Sequence, residues 1–357
     1  YITGGKDGTG QDPLGGLNLS RKFVFSGETW STIPTLGTYI NNTGQPLSSP
    51  TSGYVAGGTS NSTGPAPIKS WVYRFTFSND SNQRTPSMDL TYAVKSMAAA
   101  GDSTAGYFMG GGTTQPGYTD RTSNINKFTY ATDTASLNPS KLPTTLIKAD
   151  ATGNKESGYA AGGTYSNFAK INFSTGTASA VNSELVQEER IVVSAFSPVQ
   201  GSLTPPDVRW FDNATTPLNT AYATAGVNGP SPVYKTDLST LTAFAYLSPA
   251  TQSPQRTRQG TFSSSSNAYM NGGSTNVPQS NMRSNTDKLV YSTDTTSRLP
   301  GSNTPIVLLG HNGIADAKSG WFWGGNTHGT PDNGNQTTLY KLTFSTDAMS
   351  TSPARMT

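Results

Sequence analysis

The chain has 357 residues, a formal net charge of +3 at pH 7, 33% hydrophobic residues and only 13% charged residues. Charged residues normally make up about 25% of a globular protein, and this deficit disfavours the long helices and coiled coils that depend on Leu, Glu, Lys and Ala. The sequence contains no Cys, which excludes disulfides, thiolate nucleophiles, zinc–thiolate sites and iron–sulfur clusters.

The small number of histidines and the lack of basic or apolar runs disfavour several other kinds of site. Its two histidines, His311 and His328, are too few for a His-rich metal centre. Basic residues form no run, whereas binding to nucleic acid phosphates needs a concentrated basic patch. No apolar stretch approaches the 18 residues of a membrane-spanning helix. We therefore predict no metal, no cofactor, no nucleic-acid partner and no membrane insertion.

A first motif, aromatic-x-x-Gly-Gly, recurs about every 50 residues along the whole chain. The fifth copy is imperfect, because Ala225 replaces the first Gly. The seven repeat units begin near Tyr1, Tyr54, Tyr107, Tyr159, Tyr222, Tyr269 and Trp321.

A second motif follows each copy of the first. It is a basic residue, then alternating apolar positions, then a turn rich in Ser, Thr, Asp and Gly. Its basic residues are Lys22, Arg74, Lys127, Lys170, Lys235, Lys288 and Lys341. Because the two motifs stay in phase seven times, the repeat is unlikely to arise by chance, and it defines the fold.

Each unit is predicted to form four short strands. In the third unit these are residues 95–100, 105–110, 125–130 and 135–142, and alternation places Phe128 and Tyr130 on one face. Seven four-stranded antiparallel units predict an all-β, seven-bladed, kelch-like β-propeller spanning residues 1–357 as a single domain.

The segments 96–107, 127–136 and 158–163 resemble kelch-like repeats. They are most similar to the Gly/Ser/Thr/Asn-rich repeats of virion proteins of marine tailed phages that infect cyanobacteria. The resemblance covers nearly the whole chain and is weakest in the fifth unit. It implies a propeller in the tail, a fibre or a surface projection of an extracellular particle.

The two ends of the chain and its longest insertion depart from a regular repeat. The first unit lacks its first strand, and residues 354–357 are too short to supply another. We therefore expect a piece of a longer polypeptide, or a ring closed by residues outside 1–357. An insertion at 197–220, containing Trp210 and Phe211, is expected to form a plug over its own blade or a docking arm.

The connections after the Gly-Gly strand are long in five units, at residues 6–19, 59–70, 113–124, 274–287 and 326–338. They are expected to share one face with the connections between units. Variable polar loops on a rigid scaffold are typical of a binding face.

Residues that repeat are predicted to build the scaffold. The second-strand aromatics are expected in the core. The basic residues are expected to cover aromatic surface with their stems and to reach solvent with their charged heads, with a binding surface as the alternative. Asp133, Asp294 and Asp347 recur at one turn position, where they are expected to cap the turn.

Residues that break the repeat are the other candidates. The group Glu184, Glu188, Glu189 and Arg190 is expected to be a solvated turn, with hydrolysis or cation binding as the alternative. His311 is expected to face the central channel. His328 lies near Asp332, Asn333 and Asn335, where a calcium or sugar contact is the alternative to an ordinary loop.

We expect a non-catalytic virion protein that contacts other virion proteins, host-surface polysaccharide, or both; the sequence leaves homo-oligomer formation open. Its ligand-binding candidates are Tyr118, Asp120, Trp321 and His328, because aromatic rings and polar side chains suit sugars in water. One alternative is a polysaccharide-acting enzyme, which requires converging carboxylates. Another is a bacterial secreted or cell-surface interaction module.

Overall fold

A computed structural model describes about two thirds of the chain. The described residues are 2–3, 20–36, 46–60, 67–114, 120–147, 149–153, 156–162, 168–181, 194–196, 220–224, 232–237, 245–251, 259–274, 282–309, 311–325, 327 and 336–355. The insertion at 197–220 lies outside these residues except for Thr220, and so does the whole group from Glu184 to Arg190.

The described strands form small antiparallel sheets whose strands are ordered as they occur in the chain. Sheet 1 contains β1 (Ile2–Thr3), β2 (Ser20–Val24) and β3 (Thr29–Ile33). Sheet 2 contains β4 (Leu47–Ser48), β5 (Ser52–Ala56), β6 (Val72–Thr76) and β7 (Ser81–Gln83). Sheet 3 contains β8 (Ala98–Gly101), β9 (Ala105–Met109), β10 (Ile125–Thr129) and β11 (Thr134–Leu137). Sheet 4 contains β12 (Ala149–Gly153), β13 (Ser157–Gly162), β14 (Phe168–Asn172) and β15 (Ala178–Ala180).

The remaining sheets follow the same order. Sheet 5 contains β16 (Ser194–Phe196), β17 (Thr220–Thr224), β18 (Pro232–Asp237) and β19 (Ala245–Thr251). Sheet 6 contains β20 (Gly260–Ser263), β21 (Asn267–Asn271), β22 (Thr286–Val290) and β23 (Thr295–Arg298). Sheet 7 contains β24 (Asn312–Ala315), β25 (Ser319–Trp323), β26 (Thr338–Thr343) and β27 (Ala348–Arg355). Two 3₁₀ helices, Pro86–Met88 and Pro300–Ser302, are the only helices in the described residues.

The predicted four-strand unit is confirmed in sheet 3. Its strands fall within two or three residues of the predicted starts, and the fourth strand ends at Leu137 rather than at 142. Phe128 is buried, and its ring centroid lies 6.1 Å from that of Tyr130. The alternation in the basic motif therefore identified the packed face correctly.

The hydrophobic core lies between neighbouring sheets rather than inside any one of them. Sheets 2 and 3 enclose Leu47, Tyr54 and Phe128, while Phe262, Tyr269 and Phe322 pack between sheets 6 and 7. Sheets 3 and 4 share a third cluster. Apolar faces buried in this way between successive four-stranded sheets define a β-propeller fold.

The chain divides into two compact units. The first comprises residues 1–22, 31–191 and 200–209 and contains sheets 2, 3 and 4. The second comprises residues 23–30, 192–199 and 210–357 and contains sheets 5, 6 and 7 together with the hairpin of sheet 1. The single-domain organisation of residues 1–357 stays a prediction.

The blade count is lower than the sequence predicts. Five four-stranded blades, sheets 2, 3, 4, 6 and 7, are described with buried side chains, not seven. The described part of sheet 1 has three strands. In sheet 5 the strands are described, but the burial of only one side chain, Lys235, is described. Ala354 and Arg355, expected to begin a further first strand, instead extend β27, where Arg355 pairs with Thr338 after a register shift.

Candidate functional site

The Gly-Gly motif joins each sheet to the connection that leads into the next. The amide of Gly58 donates to the carbonyl of Val94 at 2.8 Å. Gly111 does the same to Leu146 at 2.6 Å, and Gly273 to Leu308 at 2.7 Å. These three bonds fix the edge of the sheets from which the second-to-third-strand loops emerge.

The first glycine of the motif is required by the backbone. Gly57 has a φ of +66°, and a Cβ atom there would clash with the carbonyl oxygen of Val94. A side chain would therefore be strained by the conformation and would also push two sheets apart. This explains why the motif repeats a pair of glycines rather than any small residue.

The loops that leave this edge are anchored at their bases. Thr59 pairs with Ile68, Gly112 with Arg121, and Ser274 with Met282, each as an isolated antiparallel bridge. The loop tips beyond these bridges, residues 61–66, 115–119 and 275–281, lie outside the described part of the chain. Each described bridge fixes the base of its own loop.

The four predicted ligand-binding residues fall in different settings. Tyr118 and His328 lie outside the described residues. Asp120 is exposed at a loop base, where its backbone carbonyl accepts hydrogen bonds from the amide and the hydroxyl of Thr113 at 2.9 and 3.2 Å. Asp120 belongs to the first compact unit and Trp321 to the second.

Trp321 lies in the core. Its side chain is 1% exposed in β25, and its ring centroid lies 5.6 Å from that of Phe23 and 5.0 Å from that of Phe25. The general prediction that second-strand aromatics are buried is therefore confirmed at this position. A sugar has no exposed ring face to stack on here, so we drop Trp321 as a ligand contact.

A second repeated feature lies at the opposite end of each sheet, where hairpins join the third and fourth strands. The acidic residue at the tip of each of these hairpins has a left-handed backbone, with φ from +48° to +55°. These residues are Glu28, Asp80, Asp133, Asp294 and Asp347. The turn role predicted for Asp133, Asp294 and Asp347 accounts for their backbone, since Asp tolerates this conformation.

The side chains of these acids bind the basic column of the preceding sheet. Three of the pairs are Lys22–Asp80 at 2.9 Å, Lys235–Asp294 at 2.5 Å and Lys288–Asp347 at 2.6 Å. Arg74 pairs with Asp133 and Lys341 with Glu28 in the same way. The basic and acidic columns, predicted as separate surface features, therefore form one set of links between sheets.

A hydroxyl completes several of these links. The hydroxyl of Tyr54 donates to Asp133 at 3.0 Å, and that of Tyr269 donates to Asp347 at 2.9 Å. Glu28 accepts instead from the hydroxyl of Ser352 at 3.0 Å. We name each arrangement of cation, hairpin-tip acid and hydroxyl a junction.

The junctions perturb the tyrosines that contribute to them. Burial, and then the neighbouring Asp133 carboxylate, raise the pKa of Tyr54 to about 12. Burial and the hydrogen bond to Asp347 raise the pKa of Tyr269 further above its ordinary value. A neutral hydroxyl that stays protonated is the state that donates a hydrogen bond, so these shifts serve the junction itself.

The expected position of the basic side chains over aromatic rings is confirmed at four sheets. The lysine nitrogens lie 5.6–5.9 Å from the centroids of the second-strand rings. The pairs are Lys127–Tyr107, Lys170–Tyr159, Lys288–Tyr269 and Lys341–Trp321. Each ring therefore fixes the direction from which its lysine reaches the next sheet.

Sequence reasoning missed the pairing of the two columns, although a signal was present. The basic residue of one unit and the acid it binds are 58 or 59 residues apart in four of the pairs. That spacing exceeds the repeat length by a constant few residues. Comparing the two columns between successive units, instead of within one unit, would have revealed it.

His311 lies one residue before β24 and is 4% exposed. Its Nε2 accepts a hydrogen bond from the amide of Gly260 at 3.2 Å, which requires this nitrogen to be unprotonated. Cβ atoms at Gly260 and Gly272 would both collide with its ring. His311 therefore packs between sheets 6 and 7, against Gly260 and Gly272.

Within the described residues, no group of three or more His, Asp or Glu side chains is placed to hold a metal ion. No described helix is long and apolar enough to cross a membrane. Neither a protein-family model nor a curated protein matches the sequence.

Proposed function

We propose that the chain is a kelch-like β-propeller that acts without catalysis as a structural and adhesion component of a tailed-phage virion. Its place would be the tail, a fibre or a surface projection, with other virion proteins and host-surface glycan as partners. The repeats at 96–107, 127–136 and 158–163 support the virion assignment through their resemblance to such proteins.

The observation that carries the binding role is the anchored loop edge. Backbone bonds from Gly58, Gly111 and Gly273 hold neighbouring sheets together at the point where the loops begin. A rigid edge bearing loops of different length and polar composition is how repeat scaffolds present recognition residues. Tyr118, Asp120 and His328 belong to these loops, and we propose them as glycan contacts.

The use of the described carboxylates supports a non-catalytic role. Five of them hold sheet junctions through ion pairs. Asp89 binds Arg84, and the Oδ1 atoms of Asp102 and Asp316 accept backbone amides of turns. Glycoside hydrolysis needs a pair of carboxylates facing one cleft, and these eight are engaged in holding the scaffold.

Two experiments test the proposal. Antibody labelling and imaging of intact particles is expected to place the chain on the tail or surface. A glycan array with the purified chain is expected to give binding that Asp120→Ala weakens and that Thr134→Ala, at the opposite end of sheet 3, leaves unchanged. Release of reducing sugar would establish an enzyme, and labelling of a bacterial surface without particles would favour a cell-surface module.

A further inference from the structure

One junction lacks its acid. At the tip of the hairpin in sheet 4, Gly176 occupies the position held elsewhere by Asp or Glu, and its φ is +67°. By analogy with the other sheets, the basic residue for this tip is Lys127 of sheet 3, which lies over the ring of Tyr107, and the hydroxyl of Tyr107 would lie 3.9 Å from a Cβ atom at Gly176. Among the residues that the structure describes, none forms an ion pair with Lys127. We call this arrangement of Lys127, Tyr107 and Gly176 the acid-free junction.

The rest of this junction matches the complete one between sheets 6 and 7. Lys127 lies 5.9 Å from the ring centroid of Tyr107, and Lys288 lies 5.8 Å from that of Tyr269. Tyr107 stacks on Phe173 with ring centroids 5.8 Å apart at 14°, and Tyr269 stacks on Phe344, one residue after β26, at 5.3 Å and 11°. The cation is thus held in the same position relative to the stacked rings, but without a carboxylate.

The hydroxyl of this junction has found another partner. Tyr107 donates to the backbone carbonyl of Phe173 at 2.9 Å, whereas Tyr269 donates to the carboxylate of Asp347 at 2.9 Å. The tyrosine is therefore satisfied, and the unmet charge is that of Lys127 alone. The amide of Asn138 lies beside the tip and donates to the Gly176 carbonyl at 2.7 Å.

The complete junctions show what this position accepts. In all five ion pairs between a basic residue and a hairpin-tip acid, the group bound by the cation is a carboxylate. The side chains of these ion pairs are 18–34% exposed. The lowest value is that of Lys288 and the highest is that of Asp80. At the acid-free junction Gly176 is buried but Lys127 is only half-buried, so a group arriving from solvent can reach this junction from the lysine side.

We propose that the acid-free junction binds one carboxylate group of an external ligand, which takes the place of the missing hairpin-tip acid on Lys127. The ligand class is an organic acid with an accessible carboxylate, borne by a uronate sugar or by an acidic side chain. The site lies at the hairpin end of the sheets, away from the loop edge, and it does not depend on the proposed function.

The test uses ligand-observed NMR titrations of the whole chain with glucuronate, with N-acetyl-aspartate amide and with uncharged galactose. Three variants isolate the carboxylate position. Lys127→Met keeps the apolar stem and removes the charge. Gly176→Asp supplies the missing acid from the chain itself. Gly176→Asn is its matched control, since Asn has the same shape, tolerates the left-handed backbone and carries no charge.

The wild-type chain and Gly176→Asn are expected to bind at least one of the two acids and not galactose. Lys127→Met and Gly176→Asp are expected to weaken that binding about five-fold or more, the equivalent of one partly exposed ion pair. Binding of glucuronate alone identifies a sugar source, and binding of the aspartate derivative alone identifies a side-chain source. Equal affinity in all four proteins, or no acid binding by the wild type, would overturn the proposal.

A stability measurement covers the case in which a variant packs poorly. A Cβ atom at residue 176 would lie 2.8 Å from Oδ1 of Asn138, a side-chain atom that both Gly176 variants must displace equally. Gly176→Asp is expected to have the higher melting temperature of the two at low salt. This difference should disappear in the Lys127→Met background, and its persistence there would show that Lys127 does not face the tip.

Discussion

The carboxylate of Asp347 is bound from two sides, and we predict that Asp347→Asn lowers the free energy of unfolding by about 1–2 kcal/mol. One of its oxygens accepts the hydroxyl hydrogen of Tyr269 at 2.9 Å, and the other lies 2.6 Å from the Lys288 nitrogen. Asn keeps the size of the side chain and tolerates the φ of +52° at this tip. The substitution therefore removes charge without adding backbone strain.

The magnitude follows from the two contacts. A hydrogen bond to a charged group contributes about 1.5–3 kcal/mol and a neutral one about 0.5–1.5, so the Tyr269 bond weakens by roughly 1 kcal/mol. The ion pair adds about 0.2–1 kcal/mol, because the side chains of Lys288 and Asp347 are still 18% and 28% exposed. Raising the salt concentration should reduce the second contribution and leave most of the first.

The matched control is Asp120→Asn. Asp120 is exposed, and the hydrogen bonds that it accepts from Thr113 end on its backbone carbonyl, which the substitution keeps. Urea unfolding followed by tryptophan fluorescence compares the two variants. If both lose the same free energy to within about 0.5 kcal/mol, the junction does not stabilise the fold as argued.

Three further predictions follow from individual residues. Because Tyr54 keeps its proton up to a pKa of about 12 while an unfolded tyrosine ionises near 10, stability should fall as pH rises from about 10 to 12, and Tyr54→Phe should reduce this fall in alkaline denaturation. Gly57→Ala should cost more than about 2 kcal/mol in urea unfolding, since a Cβ there collides with a backbone carbonyl, whereas Gly301→Ala, with open space around it, should be near neutral. Glu28→Gln should weaken the contact with Lys341 and increase the rate of proteolysis within the first hairpin; unchanged proteolysis would contradict this.

Much of the fold could be predicted because its local rules repeat. Alternation around Lys127 identified the third strand and the buried face of Phe128, and the Ser/Thr-Asp turns identified the hairpins. Aromatic residues at the second strand were correctly assigned to the core, including Tyr107 and Tyr269, both 0% exposed. These assignments need only the period of a strand and the chemistry of a turn.

The candidate site was harder to predict because its contacts join residues of different repeats. Asp133 looked like a turn residue when considered within its own unit, and its partners Arg74 and Tyr54 come from the unit before it. Trp321 was chosen for its chemistry, but the rings that bury it, Phe23 and Phe25, lie about 300 residues earlier in the chain. A single repeat does not contain that information.

What repeats at the junctions is a chemical arrangement rather than a set of residue types. The carboxylate of Asp347 binds the ammonium of Lys288 and the hydroxyl of Tyr269. At the first hairpin a tryptophan replaces the tyrosine, and the indole of Trp321 makes no hydrogen bond to a described residue.

There the acid is Glu28, which is one methylene longer and binds both Lys341 and the hydroxyl of Ser352. A cation and a hydroxyl are thus retained although two residue types differ. Among the described hairpin tips, only the one at Gly176 lacks an acid while its cation stays in position. For this reason Lys127, rather than another lysine of the column, is expected to bind a group from outside the chain.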